Sequence, residues 1–364
     1  MSPPWTASGG SRSPHFSRSR PAQSRNMGTP PDSRGPLPEH GNGDCGRFRA
    51  AWWCQGTHAQ TLWSPLFRHR PRIHPWRERL ELPDGDFIDL DWSTDGGPST
   101  VIILHGLEGS ARSHYSRGMF DALRRIGMRA VIMHFRGCSG EPNRLARGYH
   151  SGDTMDLAFL VDTLRRREPD TPLAAVGYSL GGNVLLKWLG ETGSTAGLFA
   201  AAAISVPFVL ADSARRLDHG FSRLYRHHLL TSLRHSLQRK FRNTAPPFDV
   251  AAAAAARTFW EFDDAVTAPL HGFAGADDYY LRSSSRPYLR HITVPTLVIH
   301  AADDPFLSGD AIPAMDELSP RVTLEIQEQG GHVGFVAGNW PWRPRFWLEE
   351  RIPLFILQQL AAAR

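Results

Sequence analysis

Residues 173–189 read L-A-A-V-G-Y-S-L-G-G-N-V-L-L-K-W-L. The apolar run at 173–176 has the character of a buried strand, and Val184, Leu185, Trp188 and Leu189 recur at helical spacing. Between them stands Gly177-Tyr178-Ser179-Leu180-Gly181, a G-x-S-x-G sequence in the strand, turn and helix context that this motif requires. Such a turn holds its serine in a strained backbone conformation, so the residues two before and two after must be small. Gly177 and Gly181 meet that need. Ser179 is thereby lifted clear of the sheet at a helix N-terminus, where developing negative charge is favoured. The bare pattern arises by chance in about one chain in ten of this length. The rest of the chain must therefore supply a base, an acid and donors for an oxyanion.

The flanking sequence supplies the alternation that such a motif needs. Segments 78–82 and 87–92 flank Pro83-Asp84-Gly85-Asp86, a hairpin signal. Apolar runs at 101–104, 130–135, 200–206 and 296–300 read as strands, and 322–327 reads as the last one. Helical patterns occupy 119–125, 348–360 and 153–166, where Leu157, Leu160, Val161 and Leu164 share a face. Alternating strands and helices specify an α/β fold, a mostly parallel sheet covered by helices on both faces. Residues 208–291 break the alternation. They are rich in Arg and His, carry a poly-Ala run at 251–256 and show no clear strand, so an inserted helical cap is expected there. Segment 51–63, with Trp52, Trp53 and Trp63, reads as an aromatic stretch packing over the core.

Composition narrows the class. The chain has 364 residues, 41% hydrophobic and 21% charged, enough for a sizeable core. Of the net charge of +5, residues 1–50 carry most: seven Arg and no Lys against Asp32, Glu39 and Asp44. The body is near neutral, which argues against nucleic acid as a partner. Residues 1–46 are Ser-, Pro- and Arg-rich and read as a disordered tail, with a transit peptide or a start at Met27 left open. A single folded domain is expected over 47–364. Cys45, Cys54 and Cys138 show no disulfide framework or metal spacing. No segment is long enough to span a bilayer, and no signal-peptide core is evident. A cytoplasmic location is the expectation, with peripheral membrane contact allowed and the oligomeric state open.

Candidate functional residues fall at successive strand ends, where open α/β sheets place their ligands. Ser179, Asp304 and His332 occur in the chain order of a hydrolase triad. The serine hydroxyl is a weak nucleophile, so a base must take its proton, and imidazole titrates in the right range. A carboxylate is needed to fix the imidazole tautomer. Asp304, directly before Pro305, is favoured, and Asp303 is the alternative. The backbone N–H groups of Leu107 and Leu180 are the expected oxyanion donors. His105, His134, His150 and His300 read as structural, and His227-His228 as part of a solvated cap face. Cys138 lacks a base of its own. No metal or cofactor is called for. Phe259, Trp260, Phe262, Phe273, Tyr279 and Tyr280 form either an acyl-binding wall or ordinary core beneath the cap.

With these residues placed, the sequence resembles the YheT-type subfamily of α/β-hydrolases over about residues 50–358. The resemblance rests on H-A-Q-T-L at 58–62, L-P-D-G-D-F at 82–87, H-G-L-E-G-S at 105–110 and F-R-G-C-S-G-E-P-N at 135–143. It extends through G-Y-S-L-G-G-N at 177–183, P-L-H-G-F at 269–273, D-Y-Y at 278–280, D-D-P-F at 303–306 and G-G-H-V-G-F at 330–335. It implies a serine carboxylic ester hydrolase of short-chain ester or acylglycerol type, and it places the catalytic acid at Asp304. A small-molecule ester or lipid is then the expected partner. An acyltransferase using the same residues, or a catalytically silent fold used for binding, are the alternatives.

Overall fold

Eight strands form one sheet in the computed structural model, which describes residues 47–363 apart from Arg70 and Asp95. The tail expected at 1–46 lies outside the described residues. The strands are β1 (Trp76–Glu81), β2 (Phe87–Trp92), β3 (Thr100–Leu104), β4 (Arg129–Met133), β5 (Leu173–Tyr178), β6 (Ala200–Ile204), β7 (Thr296–Ala301) and β8 (Val322–Gln327). Their spatial order is β1-β2-β4-β3-β5-β6-β7-β8. The β1–β2 hairpin is antiparallel, as its turn chemistry predicts, and β2 runs antiparallel to β4. All other neighbours are parallel.

Side-chain alternation along the central strands divides the core in two. Ile102, Leu104, Val131, Met133 and Ala175 face helices α3 (Met155–Arg167) and α4 (Leu180–Thr192). Val101, Ile103, Ile132, Ala174 and Val176 face α2 (His114–Arg125) and α11 (Leu348–Ala362). Every residue of β2 to β6 but Arg129 is buried. Each fully buried Val, Leu or Ile contributes about 1.5–3 kcal/mol, so these layers hold the strand ends that carry the site.

Between β6 and β7 the chain forms the inserted cap. It comprises α5 (Leu210–Arg216), α6 (Ser222–Lys240), α7 (Val250–Ala255), α8 (Phe259–Phe262), a π-helical turn Asp263–Thr267, α9 (Ala268–His271) and α10 (Ala276–Ser283). A core of its own, including Leu210, Tyr225, Phe259, Phe262 and Tyr280, holds these short helices together. Among the described residues no helix is long and apolar enough to cross a membrane.

Two elements depart from the sequence reading. The aromatic stretch at 51–63 contains most of a helix, α1 (Thr57–Phe67), whose buried residues are Gln60, Thr61 and Ser64. Its inward face is polar, so the apolar stripe that marks most helices is missing. The strand at 322–327 is also not the last. Strands β9 (Val336–Trp340) and β10 (Arg343–Phe346) follow as a separate antiparallel pair. Gly338, Pro341 and Pro344 make that stretch read as a loop. Pro is tolerated because the pair is narrow, two-stranded and irregular between Arg343 and Arg345.

Candidate active site

The turn after β5 is as tight as its glycines imply. Ser179 has φ 52° and ψ −117°, a conformation that costs about 1–3 kcal/mol and persists only where neighbours enforce it. They do so by close approach. A Cβ on Gly177 would lie 2.5 Å from the Gly181 oxygen, and one on Gly181 2.5 Å from the His105 oxygen. The Ser179 N–H donates to Ile204 O at 2.8 Å, closing the turn onto β6.

Three side chains meet at this point. The Ser179 Oγ lies 3.0 Å from His332 Nε2, and His332 Nδ1 lies 2.9 Å from Asp304 Oδ2. An ionised carboxylate only accepts, so Nδ1 carries the proton and the Nε2 lone pair faces the serine. Asp304 is buried at the end of β7, and its Oδ1 accepts the Phe306 N–H at 2.9 Å. Asp303 points elsewhere. Its Oδ1 accepts the Gly331 N–H at 2.9 Å and its Oδ2 the Thr57 hydroxyl at 3.3 Å, while burial raises its carboxyl above the usual range. The two neighbouring acids thus do separate work: one faces the imidazole, the other braces the loop that carries it.

That loop is held from a part of the chain that motif reading left without a role. The His332 N–H donates to Thr61 Oγ1 at 2.9 Å. Gln60, fully buried, accepts the Val336 N–H at 2.7 Å and donates to Val336 O at 3.0 Å and Cys54 O at 2.6 Å. Val333 and Phe335 both take positive φ, 59° and 44°, so the loop needs this bracing. The Phe306 ring stacks on His332 with centroids 3.9 Å apart. No local signal marks α1, because the residues on its buried face, Gln60, Thr61 and Ser64, read as solvent-facing positions.

The loop after β3 carries Leu107, one of the two residues expected to donate; Leu180 opens α4. Gly106 O accepts from Gly109 N–H at 2.9 Å and lies 2.8 Å from His105 Nδ1. The Phe135 N–H donates to His105 Nε2 at 3.2 Å, so Nδ1 is the protonated nitrogen and donates to that same carbonyl. Burial pushes the His105 imidazole down to about 3, keeping it neutral. In a planar trans peptide C=O and N–H point opposite ways, so pinning Gly106 O turns the Leu107 N–H away from these groups. Among the described residues the N–H groups of Leu107 and Leu180 have no protein acceptor, and both residues line the cavity beside Ser179.

This cavity, about 140 Å³, lies between sheet and cap. Leu210, Leu229, Leu233, Phe259, Phe262, Tyr279 and Tyr280 line it together with Ser179 and His332. Of the six aromatic residues singled out in the cap, Trp260 and Phe273 stand outside it. Asp263 is its one buried carboxyl, accepting from Thr267 and Tyr280 hydroxyls at 2.5 and 2.7 Å, and burial raises it to about 6. His150 also lines the cavity, kept neutral by burial. His134 pairs with Asp91 at 3.0 Å, away from the serine. Burial and Glu108 push the Cys138 thiol far up, which makes it a poor nucleophile.

Residues 99–338 match a protein family described as the alpha/beta hydrolase fold. The chain is 44% identical to the candidate esterase YheT of Escherichia coli K12, over 84% of this chain and 91% of that one. It is 32% identical to phospholipase ABHD3 of Mus musculus, over 79% of this chain and 73% of the other. Among solved structures it is similar in fold to an esterase of Pyrococcus furiosus, with a TM-score of 0.51 and 16% identity, covering 79% of this chain and 91% of that one.

Proposed function

Because this chain belongs to the α/β-hydrolase family, we propose that it is a serine carboxylic ester hydrolase acting on short-chain esters or acylglycerols through Ser179, His332 and Asp304. The observation that carries this reading is the hydrogen-bonded line Ser179–His332–Asp304, 3.0 and 2.9 Å per step, opening on an apolar cavity. The esterase and phospholipase names of its relatives support the same substrate class.

In this mechanism Ser179 Oγ attacks the ester carbonyl as His332 Nε2 takes the hydroxyl proton. The negative charge forms on the carbonyl oxygen, facing the N–H groups of Leu107 and Leu180; each such donor is worth about 3–4 kcal/mol in comparable sites. Asp304 accepts from Nδ1–H and stabilises the imidazolium. The tetrahedral adduct collapses, His332 returns the proton to the leaving alcohol, and the acyl group stays on Ser179 with its chain in the cavity. Water then loses its proton to His332 and attacks the acyl-enzyme, releasing the acid and restoring the serine.

Replacing Ser179 with Ala tests the reading. The variant should melt like the parent, fail to react with a fluorophosphonate probe and lose p-nitrophenyl ester turnover by about 10³-fold or more. Turnover near that of the parent refutes it. A series of acyl-chain lengths on the parent then ranks the substrates.

A further inference from the structure

The outer side of α1 and the adjoining hairpin expose a contiguous group of large apolar side chains. Trp52, Leu66, Phe67, Trp340 and Trp342 are 52% to 72% exposed. Contacts join them into one face. The Trp340 and Trp342 rings stack with centroids 5.2 Å apart, and the Trp52 indole N–H donates to Asn339 O at 3.0 Å. Trp53, bonded to Gly338 O, packs 5.2 Å from Trp63, which lies 6.2 Å from Phe67. An aromatic surface of this extent marks an interaction site.

Its charge is one-sided. Residues 45–77 contain six Arg and no Asp or Glu, and residues 336–347 contain two Arg and no acid. Arg47, Arg68, Arg77 and Arg345 are paired with Glu328, Glu349, Asp91 and Glu350. Arg49, Arg72 and Arg343 are exposed and have no carboxylate partner among the described residues. Tryptophan prefers the boundary between headgroups and acyl chains, and arginine pairs with lipid phosphate. With no membrane-crossing helix among the described residues, contact with lipid would be interfacial.

We propose that this face docks on an anionic lipid bilayer, with Trp52, Trp340, Trp342 and Phe67 entering the headgroup boundary and Arg343 meeting the phosphates. The inner side of the same helix holds the His332 loop through Gln60 and Thr61. The loop then lies about one helix diameter, ~10 Å, from the docking face. Docking is independent of the proposed ester hydrolysis, and so is its test.

The full chain is floated with vesicles of phosphatidylcholine alone or mixed with phosphatidylglycerol, at low and high salt. Flotation is expected with the mixed vesicles and is weakened by salt. The double variant Trp340→Ser/Trp342→Ser should lower partitioning by about tenfold or more, and Arg343→Glu by about fivefold or more. Neither variant should alter its melting temperature or its turnover of a water-soluble ester, and Ser179→Ala should float like the parent. Absence of flotation, or equal flotation of the double variant, overturns the proposal. So does a concentration-dependent dimer in sedimentation velocity that the double variant abolishes, since the face would then belong to a second copy.

Discussion

Exchanging the two adjacent carboxylates for amides, one at a time, separates two roles that one residue of chain separates. In Asp304→Asn the amide oxygen can keep the Phe306 N–H, now 2.9 Å from Oδ1. The amide nitrogen then faces His332 Nδ1, which Oδ2 meets at 2.9 Å in the parent. An NH₂ group donates, so Nδ1 must become the acceptor and the ring proton moves to Nε2. Nε2 then presents a proton to Ser179 where a lone pair is needed. The loss expected from a wrong tautomer is about 10⁴-fold in kcat, or about 5.5 kcal/mol at 1.36 kcal/mol per decade. In Asp303→Asn the amide oxygen still accepts the Gly331 N–H, at 2.9 Å in the parent, and only the 3.3 Å bond from Thr57 is lost. One modest hydrogen bond corresponds to about 0.5–1.5 kcal/mol, so turnover should fall by about tenfold or less. The assay is kcat on a p-nitrophenyl ester for both variants, alongside fluorophosphonate labelling rates and thermal melts. Comparable losses in the two variants, or a larger loss in Asp303→Asn at unchanged stability, would refute the assignment of Asp304 to His332.

Three further outcomes are expected. Gly181→Ala should fold poorly or lose more than about 3 kcal/mol in denaturant unfolding, because its Cβ would meet the His105 and Leu104 backbone oxygens at 2.5 and 2.7 Å; parent-like stability would contradict the close packing of the turn. Burial raises the Asp263 carboxyl from 3.8 to about 6, so the folded chain binds more protons than the unfolded one between those values and loses stability as pH rises through them. At pH 7 the cost is about 3 kcal/mol at 1.36 kcal/mol per unit; Asp263→Asn should melt higher than the parent at pH 7, with the gap closing toward pH 4, and a gap independent of pH would count against it. Glu108, at φ 55°, accepts from the Tyr149 and Ser236 hydroxyls at 3.0 and 2.5 Å and so ties the loop bearing Leu107 to α6. Glu108→Gln should lower kcat by about tenfold to a hundredfold with KM nearly constant; a change confined to KM would place Glu108 in substrate binding instead.

Much of the architecture was legible because it is written in local periodicity. Seven of the eight strands of the main sheet were marked by an apolar run or by a hairpin turn, β8 with its mixed V-T-L-E-I-Q being the exception, and Leu157, Leu160, Val161 and Leu164 marked α3. What escaped had no such mark. Helix α1 buries Gln60, Thr61 and Ser64, so its inward face looks like solvent-facing sequence. The β9–β10 pair contains Gly338, Pro341 and Pro344, residues that ordinarily signal a break. Both elements serve the loop of His332 through hydrogen bonds spanning 271 to 276 positions of chain, which no local pattern encodes.

The sequence by itself determined the fold class, the strained turn at Ser179 and the order serine, aspartate, histidine at successive strand ends. Each of these follows from short-range chemistry: glycine where backbones close in, apolar runs where strands are buried. Sequence reading favoured Asp304 over Asp303, but it is the tertiary structure that sets Asp304 against the imidazole and turns Asp303 to Gly331, because consecutive side chains diverge and the outcome depends on the path of the loop after β7. It also decided that Phe259, Phe262, Tyr279 and Tyr280 line the cavity while Trp260 and Phe273 do not, and that Trp52, Phe67, Trp340 and Trp342 share one exposed face. Composition names such residues. Which way each side chain points is set by packing among segments far apart in the chain.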